Sequence, residues 1–130
     1  GFNRWPTDVR VSSMMAPTLA EDPYHLIALG SGGSNRLRTA ILQTLSNLID
    51  FQMTPEQAVY APRVHFERGR LDIEPGFDAA SVAALTEAYP DHRLWSDHNL
   101  YFGGTHTVCW DGRHFTGAGD PRRGGVFATS

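Results

Sequence analysis

Lysine is absent from this sequence, and all eleven basic residues are arginine. The absence excludes a P-loop lysine, a Schiff-base lysine and a lysine general base. Cysteine occurs once, as Cys109, which excludes an internal disulfide and any CxxC metal or redox site. No apolar run approaches the ~20 residues that span a bilayer, and the N-terminus lacks the layout of a signal peptide. We therefore expect no membrane span.

The charge balance also narrows the set of partners. The formal net charge is −3, the isoelectric point is near 6.0 and the arginines are scattered rather than clustered. This pattern lacks the basic patch that binds a phosphate backbone, so we expect no nucleic-acid partner. With 41% hydrophobic and 19% charged residues, residues 1–130 are predicted to fold as a single domain. Because the first residue is Gly1 rather than Met, we expect a processed or excised fragment.

The clearest local pattern is a strand, a glycine loop and a helix in succession. Residues 24–29 form a short apolar run that predicts a buried strand, closed by the glycine loop of residues 30–33. From Arg36 to residue 50, apolar residues recur at three- and four-residue steps, which predicts an amphipathic helix. Thr54, followed by a proline and an acid, predicts the start of a second helix that ends near Pro62.

Further elements complete an α+β pattern. Apolar residues alternate with polar ones on either side of Arg68-Gly69-Arg70, which predicts a hairpin with one buried face formed by Val64, Phe66, Leu71 and Ile73. Asp78 is predicted to cap a helix that ends at Pro90. Residues 105–110 alternate as a strand, and Asp111-Gly112 turns the chain into a last strand around residues 114–116. The following segment, residues 117–125, is so rich in glycine that no regular structure is expected there.

The glycine loop is the best candidate site. Glycines between a strand and a helix allow backbone N–H groups to converge on a phosphate, a carboxylate or an oxyanion at the positive end of the helix. The alternative is that they only permit a tight turn. A dinucleotide fingerprint is disfavoured, because it requires glycine where Asn35 stands.

Other polar residues give weaker signals. Ser12 and Ser13 precede an apolar strand, where their hydroxyls could bind a polar substrate group or satisfy a turn. The six histidines match no helical ligand pair and no zinc pattern, so we expect neither a metal site nor a cofactor. Alternation sends His106 and Cys109 to opposite faces of their strand, and Cys109 is interpreted as a packing residue.

Taken in order, the motifs resemble a known family along nearly the whole chain. They are RVSSMMAPT, GSGGSNRLRTAILQ, NLIDF, QAVYAPRVHFE, LDIEPGF, YFGGTHTV and GAGDPRRGG. Together they are similar to the C-terminal part of the small subunit of γ-glutamyltransferases. The resemblance implies part of an αββα sandwich of the N-terminal-nucleophile hydrolase type. It also implies a self-cleaving proenzyme whose new N-terminal threonine attacks a γ-glutamyl amide, as in glutathione, and passes the acyl group to water or an amine.

The resemblance assigns site residues by motif position. The family's paired serines, which hold the donor α-carboxylate, fall on Ser13 and Met14, so one hydroxyl is lost; Ser12 could compensate only by a backbone shift. The oxyanion-hole glycines fall on Gly33 and Ser34, where serine can serve through its backbone N–H. Asp120 beside two arginines is interpreted as a structural clamp rather than a site.

The resemblance also sets expectations for activity and partners. The nucleophile would lie upstream of Gly1, so this chain alone is expected to be inactive and to require the large subunit and the N-terminal part of the small subunit. The substrate would be a small γ-glutamyl compound, and the compartment periplasmic or secreted. Alternatives are a non-catalytic carboxylate-binding or scaffold domain, and a relative acting as an acylase on another amide. An apolar surface exposed by the missing partners would favour self-association.

Overall fold

A computed structural model describes residues 7–10 and 13–129. Within these residues the chain forms two β-sheets and three α-helices, joined by short 3₁₀ turns. The strands are β1 (Thr18–Glu21), β2 (Leu26–Gly30), β3 (Val64–Glu67), β4 (Arg70–Ile73), β5 (His92–Leu94), β6 (His106–Trp110) and β7 (Phe115–Ala118). The helices are α1 (Leu37–Ile49), α2 (Pro55–Tyr60) and α3 (Ala79–Ala88). The 3₁₀ turns are Ser34–Arg36, Leu100–Phe102 and Pro121–Arg123.

The larger sheet places the end of β2 beside the start of β6. Its strand order is β1-β2-β6-β7, and every neighbouring pair is antiparallel. In the β2–β6 register Gly30 lies opposite His106. The loop that follows β2 therefore lies next to the segment that precedes β6. The candidate site lies at this end of the two central strands.

The predicted strand, loop and helix are confirmed. Leu29 on β2 packs with Leu37 and Ile41 on α1 to form a buried apolar cluster. The second helix also begins as predicted: Thr54 Oγ1 accepts from Gln57 N, and the Gln57 side chain accepts from Thr54 N. Such reciprocal capping satisfies amide groups that the first turn leaves unpaired.

The other face of the large sheet is apolar and open. Leu19, Ala28 and Val108 lie in one row across the strands, and Leu19 is 73% exposed. Phe115 in the next row is also exposed. Self-association through this face remains a prediction. None of the helices in the described part of the chain is both long and apolar enough to cross a lipid bilayer.

The hairpin of β3 and β4 forms as predicted, and Leu71 and Ile73 on its predicted apolar face are buried. The prediction of a single buried face is wrong, because Phe66 on that face is 51% exposed and His65 and Asp72 on the opposite face are also buried. The polar pair is buried because its atoms are satisfied: His65 Nδ1 lies 2.8 Å from the Oγ1 atom of Thr39, and Asp72 accepts from Trp95 Nε1 and Tyr101 Oη.

The glycine-rich segment is more regular than expected. Strand β7 continues to Ala118, and Asp120 caps the 3₁₀ turn Pro121–Arg123 by accepting from Arg122 N at 2.9 Å. The prediction of irregular structure across residues 117–125 is therefore wrong at these two places. Strand β5, which pairs parallel to β4, was also not predicted.

Candidate active site

The glycine loop carries unusual backbone conformations at the two predicted oxyanion residues. Gly33 has φ 122° and Ser34 has φ 60°. Serine in the left-handed region costs about 1–2 kcal/mol relative to the right-handed region, whereas glycine adopts it freely. Ser34 therefore has a backbone conformation that glycine adopts without this cost.

The backbone amides of Gly33 and Ser34 have no hydrogen-bond acceptor in the part of the chain that the structure describes. Across the described residues, no hydrogen bond has the N–H of Gly33 or Ser34 as its donor. Their carbonyls are used: Gly33 O accepts from Arg36 N at 3.3 Å, and Ser34 O accepts from Leu37 N. Two adjacent unpaired donors at the start of a helix are suited to receive negative charge.

Met14 and Ser34 are in contact. The resemblance places Met14 where the family has a carboxylate-binding serine and Ser34 where it has an oxyanion-hole glycine. Ser34 Oγ donates to Met14 Sδ at 3.7 Å. The fold therefore brings together two residues that are 20 positions apart in the sequence. Met14 is half exposed. Ser13 Oγ accepts from Met15 N at 3.3 Å, which supports the turn interpretation, although its hydroxyl hydrogen remains able to donate. Ser12 lies outside the described residues.

Residues 101–104, which precede β6, pack against the glycine loop and the turn that follows it. Ser31 Oγ donates to Gly32 O at 3.0 Å and accepts from Gly104 N at 3.2 Å. Arg36 Nε donates to Tyr101 O at 2.7 Å, and its guanidinium carbon lies 4.3 Å from the centre of the Tyr101 ring. These contacts hold the loop against residues 101–104.

A buried cluster of charged groups anchors that segment in turn. Arg63 Nη2 pairs with Asp120 Oδ2 at 2.8 Å, and the same oxygen accepts from Thr105 N at 2.8 Å. Arg122 pairs with Glu74 at 2.6 Å and with Asp120 at 3.3 Å. The prediction that Asp120 and an arginine form a structural clamp is confirmed. Arg63 and Glu74, which complete the cluster, were missed, because nothing in the sequence around them shows that they meet Asp120 and Arg122 in the fold.

Asp120 makes the stability of the protein depend on pH. Burial raises the pKa of its carboxyl, but the charge of Arg63 and the amides of Thr105 and Arg122 outweigh burial and lower the pKa below its ordinary value. The stabilisation from the charged form is therefore complete above the unfolded-state pKa of about 3.9 and is lost as pH falls through the lower folded-state value.

We expect the free energy of unfolding of the complete protein to fall on acidification below about pH 4, and this slope to become shallower in Asp120→Asn. Urea unfolding followed at several pH values measures the difference. Other lowered carboxyl pKa values, such as that of Asp78, contribute equally to both proteins. Parallel slopes in the two proteins would contradict the assignment.

The remaining nucleophilic and metal-ligating side chains of the described residues form no second candidate site. Cys109 is half-buried and burial raises the pKa of its thiol, which disfavours the reactive thiolate. His106 lies on the opposite face of β6, as predicted, and its Nδ1 lies 3.2 Å from Asp120 N. Among the described residues, no group of three or more His, Cys, Asp or Glu side chains is placed to hold a metal ion. A cleft of about 510 Å³ lies beside Cys109, but no predicted site residue lines it.

A solved structure is similar in fold to nearly the whole chain. It is the gamma-glutamyltranspeptidase from Pseudomonas nitroreducens complexed with L-DON, which matches with a TM-score of 0.77 and 27% identity over 97% of this chain and 67% of that one. The protein therefore has the α+β fold of the N-terminal-nucleophile hydrolases, and the predicted fold class is confirmed.

Sequence comparisons give the family directly. Residues 1–130 match the family described as Gamma-glutamyltranspeptidase, and the chain belongs to this family. It is 31% identical over 121 residues to the glutathione hydrolase proenzyme of Pseudomonas aeruginosa, covering 90% of the chain. It is 40% identical over 77 residues to the acylase ACY 1 proenzyme of Pseudomonas sp. (strain SE83), covering 58% of the chain. The matched regions span only 22% of the hydrolase and 14% of the acylase.

Proposed function

We propose that this chain is the C-terminal portion of an enzyme that transfers an acyl group from an amide to water or an amine, and that it supplies the oxyanion hole. The observation that carries this proposal is the pair of backbone amides at Gly33 and Ser34, which have no acceptor among residues 7–10 and 13–129 and have backbone conformations that suit glycine. During attack on an amide the carbonyl oxygen becomes negative. A preorganised donor aimed at that oxygen is worth about 2.7–4 kcal/mol of barrier.

The donor is proposed to be a γ-glutamyl compound of the glutathione type. Ser13 and Met14 are proposed to stand where its α-carboxylate is held, and Ser12 could compensate for the missing hydroxyl only by a shift of the backbone. The contact between Met14 and Ser34 supports this location, because it puts the segment beside the amides that would face the reacting carbonyl. With a thioether in place of one hydroxyl, the segment offers fewer donors than two serines would.

The attacking hydroxyl is proposed to come from an N-terminal threonine outside these 130 residues. No hydroxyl at the described site is prepared for attack: that of Ser34 donates to Met14, and no histidine pairs with Ser13. The relatives named above are proenzymes, in keeping with a nucleophile released by cleavage. The chain would accordingly be inactive by itself and work only with the large subunit and the remainder of the small subunit.

A second candidate is acylase activity on an amide other than a γ-glutamyl one. Two observations favour it: the 40% identity to an acylase proenzyme, and the replacement of a hydroxyl by the thioether of Met14 next to the oxyanion loop. An apolar group there would suit an acyl chain without an α-ammonium and α-carboxylate pair.

Hydrolysis of chromogenic anilides tests both candidates. We expect the 130-residue chain alone to release no p-nitroaniline, and the complete protein to release it from γ-glutamyl-p-nitroanilide or, under the second candidate, faster from an anilide with another acyl group. Turnover by the isolated chain would show that the nucleophile lies within it. A complete, correctly cleaved protein that binds glutamate but hydrolyses neither class of anilide would favour a non-catalytic carboxylate-binding domain.

A further inference from the structure

The guanidinium of Arg123 lies directly on the glycine loop. A β-carbon placed on Gly32 would lie 3.3 Å from Arg123 Nη1, and one placed on Gly33 would lie 3.6 Å from Nη2. These are contact distances, so the charged group packs against Gly32 and Gly33, and Gly33 supplies one of the two proposed oxyanion-hole amides. Met14 contacts the next residue, Ser34, so the thioether and the guanidinium contact neighbouring residues of the glycine loop.

The position of Arg123 is built into the surrounding structure. Its aliphatic stem crosses Gly104, where a β-carbon would approach Cδ to 2.5 Å and Cγ to 2.8 Å, so only glycine leaves room for it. Arg123 N donates to Asp120 O at 3.1 Å, which ties the base of the side chain to the buried charged cluster. Gly124, with φ 62°, ends the turn immediately afterwards.

The charge of Arg123 has no partner within the described part of the chain. Its side chain makes no ion pair and no hydrogen bond there, and the residue is exposed. Its neighbours differ: Arg122 is buried against Glu74 and Asp120, and Arg36 is engaged by Tyr101. A cation held against a catalytic loop without an acid to neutralise it attracts an anionic ligand. A planar guanidinium matches a carboxylate through two parallel hydrogen bonds.

We infer that Arg123 binds a carboxylate of the acyl donor, and thereby selects acyl groups that carry a negative charge at the end remote from the scissile amide. This inference rests on the proposed function, because it places the reacting carbonyl at Gly33 and Ser34. It names the acyl-group class as dicarboxylic, such as glutaryl or γ-glutamyl. Arg123 would supply the positive charge that Ser13 and Met14 lack. Arg123 is therefore a specificity-determining residue, separate from the clamp formed by Asp120 and Arg122.

Two matched donors test the inference in the complete protein. Glutaryl-p-nitroanilide and pentanoyl-p-nitroanilide have acyl chains of equal length, and only the first ends in a carboxylate. We expect Arg123→Gln to lower kcat/KM for the glutaryl donor at least 10-fold and to leave the pentanoyl donor nearly unchanged, since a charge-assisted hydrogen bond is lost only with the first. Arg123→Lys should restore part of the loss. Arg113→Gln removes the same charge from the exposed turn between β6 and β7 and should leave both donors unaffected.

Binding of glutarate, measured by calorimetry, gives a readout that needs no turnover. Wild type is expected to bind glutarate at least 10-fold more tightly than Arg123→Gln. Equal affinity in the two proteins, or no binding by wild type, would overturn the inference. An equal fall in kcat/KM for both donors would also overturn it, because it would assign Arg123 to the oxyanion itself. Glutarate binding with no hydrolysis of any anilide would instead refute the proposed function and leave the carboxylate site standing.

Discussion

Ser34→Pro is expected to lower the turnover of the complete protein by about 100-fold or more. Proline has no N–H, so one of the two proposed oxyanion donors disappears. It also fixes φ near −65°, whereas Ser34 has φ 60°, so the neighbouring Gly33 amide is re-aimed as well. Both changes raise the barrier in the same direction. Initial rates with a saturating chromogenic donor measure kcat.

Variants that keep the amide provide the control. Ser34→Gly retains the N–H and adopts the observed conformation without cost, so its kcat is expected to equal or exceed that of wild type. Ser34→Ala removes only the hydroxyl that donates to Met14 and should also remain active. Near-normal turnover in Ser34→Pro, or a large loss in Ser34→Gly, would contradict the role given to this amide. Thermal unfolding of each variant would show whether the fold survives.

Asp120→Ala is expected to destabilise the complete protein by about 3–5 kcal/mol, because it leaves a buried guanidinium without its charge partner. Arg63 is 2% exposed, and Asp120 is fully buried between it and Arg122. The substitution also removes the acceptor of Thr105 N, a backbone donor with no access to water. Urea unfolding gives the change in free energy.

An exposed aspartate provides the control for the unfolding measurement on Asp120→Ala. Asp97 is exposed and accepts only from the Ser96 hydroxyl, so Asp97→Ala should change stability by no more than about 0.5 kcal/mol. If Asp120→Ala were as mild as Asp97→Ala, the buried cluster would not anchor the segment behind the glycine loop.

Local patterns predicted the elements that position the site. The apolar run before Gly30, the three- and four-residue spacing along α1 and the cap at Thr54 each depend on residues close together in sequence. Short-range chemistry of this kind can be inferred without knowing the rest of the fold. The motif order was enough to indicate the family, which the comparisons confirm.

Features that depend on distant partners could not be predicted in the same way. His65 is buried because Thr39 lies against it, and β5 exists because β4 offers an edge to pair with. Arg122 and Arg123 are adjacent and chemically identical, yet one is buried in an ion cluster and the other rests on the glycine loop. The turn between Asp120 and Gly124 directs the two side chains into different surroundings. Asp120, which caps this turn, is held in place by hydrogen bonds from Arg63 and Thr105.

The positions of the Gly33 and Ser34 amides relative to a bound transition-state analogue test the central claim most directly. A crystal structure of the complete protein with a boronate or phosphonate analogue of its acyl donor should place the anionic oxygen about 2.7–3.1 Å from both backbone nitrogens. An analogue bound covalently to the nucleophile with its oxygen directed to other donors, and both amides facing solvent, would contradict the assignment.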